Sequence, residues 1–543
     1  MTKRAMGNLL NRYRSVLKKC HLMNTFGSLA VASILVMGAA SGEAFRNTTG
    51  YNAADPASSG TTISATDQSE NAVASAIKVD TAATYTVPDT VTRAEATAIG
   101  KQSARALGVF VQGSAGNRLT LDSLDISSKA ITENGKSISY GILSDKSSSV
   151  SVNEGTITAS SQSKNGLGEC VGAVSNNNSS AVLGVNSIIS SSESHQHTAE
   201  PKTVGAQASG RSTLSMTSDK VTVKVSATHN GNVFSRKVNG IYGEGNSTLT
   251  MNDADISVHE RNSAPEKSGA AGIHLFTAST LTMKNGTIRV TTIDPEGTFA
   301  GSAVGIVTSA TSGRHGITAG TLDIRAQGGW SSGIQLENTD MRMAGGTILS
   351  EAVDRPAYGI RATQTNFTAT GDVSLEVSGG YSNATYINAL DAAGSKGNGA
   401  IGLYAKGGSI TKTGGDITVV SAGTSSGMDA FPASRITYGD AGATTRVTDE
   451  WRHHGALVWR YRHSGLQHVG RYQPEGHDRH HGHSRGPWSK RLLAVCEGGH
   501  AEHHHGGQGL DHGRRYRGGD RQRHRARNHP GWRQPAGLGT QPW

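Results

Sequence analysis

"LTMKNGTIRV", residues 281–290, decides the fold of this 543-residue chain. Leu281 and Met283 alternate with Thr282, the period-two pattern of a strand with one buried face. Continuing that parity would bury Asn285, Thr287 and Arg289 and expose Ile288 and Val290, so the chain must turn near Lys284, Asn285 and Gly286. Asn-Gly is also the strongest short hairpin signal, and a two-residue hairpin would set Met283 opposite Ile288 on one face. Parity alone leaves hairpin and corner open.

Related copies separate the two. The five-residue step from the second apolar position to the third recurs at Leu121 to Ile126, Val152 to Ile157, Met216 to Val221, Met251 to Ile256 and Met343 to Ile348. At the turn these copies carry Ser123-Leu124, Glu154-Gly155, Ser218-Asp219, Asp253-Ala254 and Gly345-Gly346. A primed hairpin turn needs positive φ at both central residues, which Leu and Ala resist. Repeated corners of a coil accept that variety, and Ser/Thr-rich disorder would not keep parity through so many copies.

A second phrase keeps the same beat. Gly-Ile or a close variant recurs at Gly108-Val109, Gly141-Ile142, Gly172-Ala173, Gly205-Ala206, Gly240-Ile241, Gly272-Ile273, Gly305-Ile306, Gly333-Ile334, Gly359-Ile360 and Gly402-Leu403. Successive gaps are 33, 31, 33, 35, 32, 33, 28, 26 and 43 residues, a period near 30 with insertions, as solenoids show. The expected fold is all-β: a right-handed parallel β-helix of about ten coils. Each coil supplies strands at Gly-Ile, Leu-Thr-Met and Ile-x-Val. At about 4.8 Å per coil the rod would be roughly 50 Å long.

Composition agrees. There are 70 Gly against 12 Pro, and 5% aromatic residues is little material for the core of a typical globular enzyme. The net charge of +10 resides in the ends: residues 1–44 carry +5 and residues 451–543 carry +10, leaving −5 on residues 45–450. A mildly acidic body implies no phosphate-binding surface and excludes nucleic acid as its partner. Cys20, Cys170 and Cys496 fit no disulfide or zinc spacing, and Cys170 reads as a packed residue.

Four segments follow. Residues 1–44 read as a signal peptide with an extended basic region, Lys3, Arg4, Arg12, Arg14, Lys18 and Lys19, followed by the apolar "FGSLAVASILVMGAA" and small residues near Ala44. The apolar run is short of the roughly 20 residues a membrane span needs. Residues 45–107 read as a weakly ordered N-terminal cap with one strand at "TYTV", and residues 108–440 as the β-helical repeats. Residues 441–543 form an anomalous tail. From 451 onward it holds 15 of the 22 His, 5 of the 6 Trp and no Ile, so it cannot continue aliphatic ladders. A frameshifted remainder, a metal- or polyanion-binding tail and a disordered linker are the alternatives for it.

The long basic signal, the acidic body and the "STLTM…GTI" grammar at Ser279–Ile288 and Ser247–Ile256 resemble the passenger domains of pertactin-like and AIDA-type autotransporter adhesins, over roughly residues 1–440. The resemblance implies type V secretion after Sec export, display at the cell surface or outer membrane, and roles in adhesion, autoaggregation or biofilm formation. Host-cell or bacterial surface receptors or glycans would be the partners, with outer-membrane assembly machinery engaged through a C-terminal translocator barrel. The alternating ten-residue segments of such a barrel are not found in this sequence, so a truncated, periplasmic or inactive product is also expected.

The alternative function is a secreted β-helical polysaccharide lyase or hydrolase, which needs clustered outer-face carboxylates for calcium and a basic residue for proton abstraction. Asp253 and Asp255 could share a face, with Arg289 on the next coil. His195 and His197 could chelate weakly, and "YGDAG" at 438–442 lacks a nucleophilic Ser. The sequence therefore leads us to expect no enzyme, no catalytic or metal-binding residues and no cofactor.

Overall fold

The computed structural model describes residues 48–52, most of 62–438, and the short strands 446–451, 457–462, 469–472, 495–497 and 500–502. Within 62–438 the segments 81–83, 88, 114–116, 196–200, 231–234, 265–267, 310–312, 354, 381–397, 422–423 and 431–433 lie outside the description. So do the expected signal peptide and most of the tail. The described residues all belong to one compact unit, Met1–His504. They form a parallel β-solenoid, with strands pairing coil to coil and no helix among them.

Three interior ladders define it. In the first, Ile77, Val109, Ile142, Ala173, Ala206, Ile241, Ile273, Ile306, Ile334, Ile360 and Leu403 stand in register. In the second, Leu214 pairs with Leu249, Leu281, Ile317, Met341 and Phe367 in turn, flanked by Met216, Met251, Met283, Ala319 and Met343. The third runs Ala94, Ile126, Ile157, Ile188, Val223, Ile256, Ile288, Ile324, Ile348, Leu375 and Ile417. All of these are buried. The opening phrase is therefore a corner: Thr280–Ile293 pairs in parallel with Thr248–Asn262 before it and His315–Gly328 after it, which no hairpin allows.

Glycine locks the first ladder to the third. A Cβ on Gly272 would stand 2.1 Å from Ile288 Cγ2 and 2.7 Å from the Gly305 carbonyl oxygen. Gly240 meets Ile256 in the same way at 2.3 Å, and Gly305 meets Ile324 at 2.2 Å. The two recurrent phrases are thus halves of one contact, in which the branched methyl of the Ile-x-Val strand fills the space that glycine leaves.

The return from the first sheet to the second is a column of left-handed pairs: Lys146-Ser147, Asn177-Asn178, Gly210-Arg211, Gly245-Asn246 and Thr277-Ala278 all have positive φ. These turns stack through their own backbone, with Asn178 N–H donating to the Gly210 carbonyl at 2.8 Å and Asn246 N–H to Thr277 at 3.1 Å. Asn and Gly enter this region readily, whereas Thr277 does not.

Three expectations change. The step from Met216 does not end at Val221: Met216 pairs with Met251, but Val221 pairs with Ala254 and Val223 with Ile256, the register shifting between Met216 and Lys220. Two extra residues are absorbed at the corner. The cap expected over 45–107 is instead coil from Thr62 onward, with Ile63 paired to Ala94 and Ala94 to Ile126. Small residues such as Ala94, Ala96 and Ala98 fill the interior there, all buried. The coil count also differs slightly from ten, and the first ladder reaches back past Val109 to Ile77. Parallel pairing ends at Ser421 with Trp451. Beyond it Arg446–Trp451 pairs antiparallel with Leu457–Arg462, and the aliphatic ladders stop.

Candidate functional site

The same glycine that locks the core also breaks strand parity. Val109, Ile142, Ala173 and Ala206, directly after the glycine, belong to the interior cluster. Leu107, Val171 and Val204, directly before it, form a second cluster with Leu143 and Val174, two residues after it, and Phe110, Tyr140 and Tyr242 pack against them. Side chains that leave the coil on both flanks of a bend and are still buried occupy a concavity. These side chains therefore fill a crease that runs from coil to coil beside the glycine corner.

Its lining is aromatic and charged. Near one end the Tyr140 hydroxyl donates to Glu169 Oε1 at 2.8 Å, and Lys136 Nζ lies 2.7 Å from Glu169 Oε2. Burial pushes the Glu169 carboxyl up, but Lys136 and Lys202 outweigh it and hold the carboxyl below its usual range. Burial, then the Glu169 charge, pushes the Tyr140 phenol well above its usual range. Midway, Lys202 Nζ lies 5.6 Å from the Tyr242 ring centroid, and His274 meets Tyr242 edge to face at 5.3 Å. Burial drives the His274 imidazole down to about 4, aided by His315 and Lys237, so the ring is neutral at pH 7. Further along, Trp330, Tyr358 and Tyr404 make successive ring contacts at 6.3 and 5.8 Å, with the Arg361 guanidinium 5.2 Å from Tyr358.

Three buried polar atoms of the middle segment have no hydrogen-bond partner: Gln207 Oε1, Asn239 Nδ2 and His274 Nε2. They occupy successive coils, since Gln207 pairs with Tyr242 and Tyr242 with His274, while Asn239 sits between Val204 and Ala271. A buried polar atom without a partner is costly, so these three atoms are local weak points of the packing.

Asp253, Asp255 and Arg289 do come together on an outer face, as the spacing predicts. Thr287 Oγ1 donates to Asp255, Lys220 Nζ lies 2.7 Å from Asp255, and Arg289 donates to Thr287 Oγ1 at 3.3 Å. Asn285 Nδ2 donates to Asp253 at 3.1 Å. Burial raises the Asp255 carboxyl, but the hydrogen bonds from Lys220 and Thr287 and the charge of Lys220 hold it below its ordinary range. Asp125 with Thr156 and Asp323 with Thr347 repeat the bond at 2.7 and 2.6 Å, so the motif is a stacked Asp-Thr ladder that stitches coils together. His195 contacts Glu193 at 2.9 Å, and His197 and Gly439 to Gly442 lie outside the described residues. Cys170 is buried, and desolvation pushes its thiol to about 12, which makes it a packing residue. Inside the coil, His229 Nδ1 lies 3.2 Å from Glu260 Oε1, both side chains fully buried, in a polar stretch of the interior that spacing alone did not single out.

The crease residues carry a faint signal in "SYGIL", "NGIYG", "AGIHLF" and "AYGIRA", where an aromatic or polar residue stands at −1 or +2 from the glycine. Comparison with protein-family models, with curated proteins and with solved structures finds no match.

Proposed function

We propose that this chain is an adhesive solenoid, displayed at a surface as the autotransporter passengers it resembles are, and acting in adhesion, autoaggregation or biofilm formation. The observation that carries the reading is the crease, along which aromatic, amide and cationic side chains recur over many consecutive coils. A long surface of repeated weak contacts suits the holding of an extended partner. The lyase alternative is less well supported, because Asp253 and Asp255 spend their acceptors on Asn285, Lys220 and Thr287 in a ladder repeated elsewhere as a structural bond.

The test presents residues 45–440 on an intact translocator barrel and measures cell binding and autoaggregation against the barrel alone. Gain of either phenotype is expected. Equal behaviour of the two strains, or release of unsaturated sugar ends from uronate polymers, would overturn the reading.

A further inference from the structure

We infer that His315 is a proton-operated latch on the turn from Thr277 to Ser279: neutral, it clasps that turn to the following coil, and protonated, it lets go. The position after the left-handed turns carries a buried column in which a backbone N–H donates to the side chain of its counterpart one coil on. Ser148 donates to Ser179 Oγ at 3.3 Å, Ser179 to Ser212 Oγ at 3.1 Å and Thr339 to Thr365 Oγ1 at 3.3 Å. A hydroxyl keeps its lone pairs at every ordinary pH, so these rungs are indifferent to protons. One rung differs. Ser279 N–H donates to His315 Nδ1 at 3.2 Å, and His315 Nε2 lies 3.3 Å from the Ser309 carbonyl oxygen. A backbone N–H can only donate and a carbonyl can only accept, so Nδ1 offers its lone pair and Nε2 carries the hydrogen. The imidazole is therefore neutral while the rung is made. A proton on Nδ1 would set N–H against N–H and leave the Ser279 amide unpaired beside a ring that is only 1% exposed.

The turn that His315 holds is also under strain. Thr277 is the β-branched member of the column of left-handed pairs, at φ 56°, a conformation its side chain resists. The Ser309 carbonyl accepts from Thr277 N–H at 3.3 Å as well as from His315, so ring and turn converge on one oxygen. The charged and titratable groups on the flanking elements are His274, Lys237, Arg314 and Asp340. His315 and Lys237 both act to keep His274 unprotonated. Asp340 is committed to Arg314 at 2.6 Å and to Asn366 at 2.8 Å, so its charge is spent on them. Burial holds the His315 imidazole below its usual range. The opened turn thus takes up a proton more readily than the closed one, and the closed turn loses stability as pH falls through the window beneath the usual histidine value. The hydroxyl rungs elsewhere in the column keep their bonds, so the opening is local.

The experiment follows amide hydrogen exchange of the purified full chain by mass spectrometry from about pH 7.5 to about pH 5, with rates corrected for the intrinsic effect of pH. Protection of the peptide containing Thr277 to Ser279 should fall about tenfold or more across that range, while the peptide containing Ser179 keeps its protection. His315→Ser returns a hydroxyl to the column and should make protection at Ser279 independent of pH. His274→Phe removes the other buried imidazole and should leave the pH dependence at Ser279 in place. Nitrogen NMR of histidine-labelled protein at neutral pH should show His315, assigned by its loss in His315→Ser, with its hydrogen on Nε2. Unchanged protection at Ser279, an equal loss at Ser179, or a pH dependence that survives His315→Ser would overturn the inference. So would its disappearance in His274→Phe, or a hydrogen on Nδ1 at neutral pH. If His315→Ser does not fold, exchange in the wild type and in His274→Phe still decides the matter.

Discussion

Gly272→Ala should unsettle the solenoid chiefly through a methyl–methyl collision, and removing the opposing methyl should relieve most of it. Gly272 has no positive φ, so the backbone admits alanine and the objection is purely steric. The new Cβ would stand 2.1 Å from Ile288 Cγ2 and 3.4 Å from Val290 Cγ2, whereas carbon atoms rest about 3.5–4.0 Å apart. The Ile288 methyl must retreat by well over 1 Å into an interior packed as densely as a crystal. Overpacking of this kind costs about 1–3 kcal/mol. The gain of roughly 0.5–1 kcal/mol from replacing a strand glycine offsets only part of it. Ile288→Ala, at a position with no exposure, should cost about 2–5 kcal/mol through lost burial and the cavity left behind. It also deletes Cγ2, so the two changes together should cost at least about 1 kcal/mol less than their sum. Part of the penalty should persist, because the Gly305 carbonyl oxygen is 2.7 Å from the new Cβ. Gly316→Ala is the control: the nearest atom to its Cβ is Thr280 Cγ2 at 3.6 Å, and the variant should be neutral or slightly more stable. Urea unfolding followed by circular dichroism gives the cycle. Hydrogen exchange at Ile273, Ile288 and Ile306 reports the local opening that a repeat protein can undergo without unfolding throughout. Additivity of the two costs within about 0.5 kcal/mol would refute the lock.

Lys412→Met should stabilise the chain at neutral pH and remove a pH dependence. Lys412 occupies the ladder position that Met343 and Ala369 hold in the preceding coils, is fully buried, and donates to the Gly414 and Gly415 carbonyls. Burial drives its ammonium down to about 7, against about 10.4 in the unfolded chain. Between those values the unfolded state binds more protons, so stability should climb as pH rises from 7 to about 10, by up to about 1.4 kcal/mol per unit, and a flat denaturation profile would be the contrary result. On the acid side His274, lowered to about 4 from about 6.5 unfolded, should cost stability as pH falls through that window. His274→Phe should flatten that slope. Thr277→Gly should raise stability by about 1 kcal/mol, since a β-branched residue at φ 56° bears a cost of about 1–2 kcal/mol that glycine does not. Asp255→Asn, by contrast, removes an ion pair whose lysine is 64% exposed, and thermal melting should shift by no more than about 1 kcal/mol equivalent.

The aliphatic ladders were legible because each is a local alternation, and comparing copies was enough to choose corner over hairpin. Counting residues could not reveal that the coil beginning at Met216 carries two extra, since the bulge restores parity and Val221 is buried like its neighbours. Nor could it recognise Ala94 to Ala98 as coil, because a small residue in the interior looks like a small residue anywhere. The outer convergence of Asp253, Asp255 and Arg289 followed from spacing, whereas their role as rungs of an Asp-Thr ladder needed the neighbouring coils in place. The crease stayed hidden for a different reason. At the glycine the chain buries both parities, so Tyr140, Asn239 and Tyr242 sit where a period-two reading assigns no shared surface.

Register between coils also determines how the molecule can change length. Thr248 pairs with Thr280, Leu249 with Leu281 and Met251 with Met283, just as Leu214 and Met216 pair with Leu249 and Met251. A recombination joining Thr248 directly to Leu281 would excise one coil and still offer Leu214 a leucine, Met216 a methionine and Val223 an isoleucine. Gly240, which now rests against Ile256, would meet Ile288 instead. The seam would be invisible to the core, so unequal exchange between neighbouring copies can lengthen or shorten the structure in whole coils. Reach then becomes a heritable quantity that varies in discrete steps, independently of the chemistry on any face.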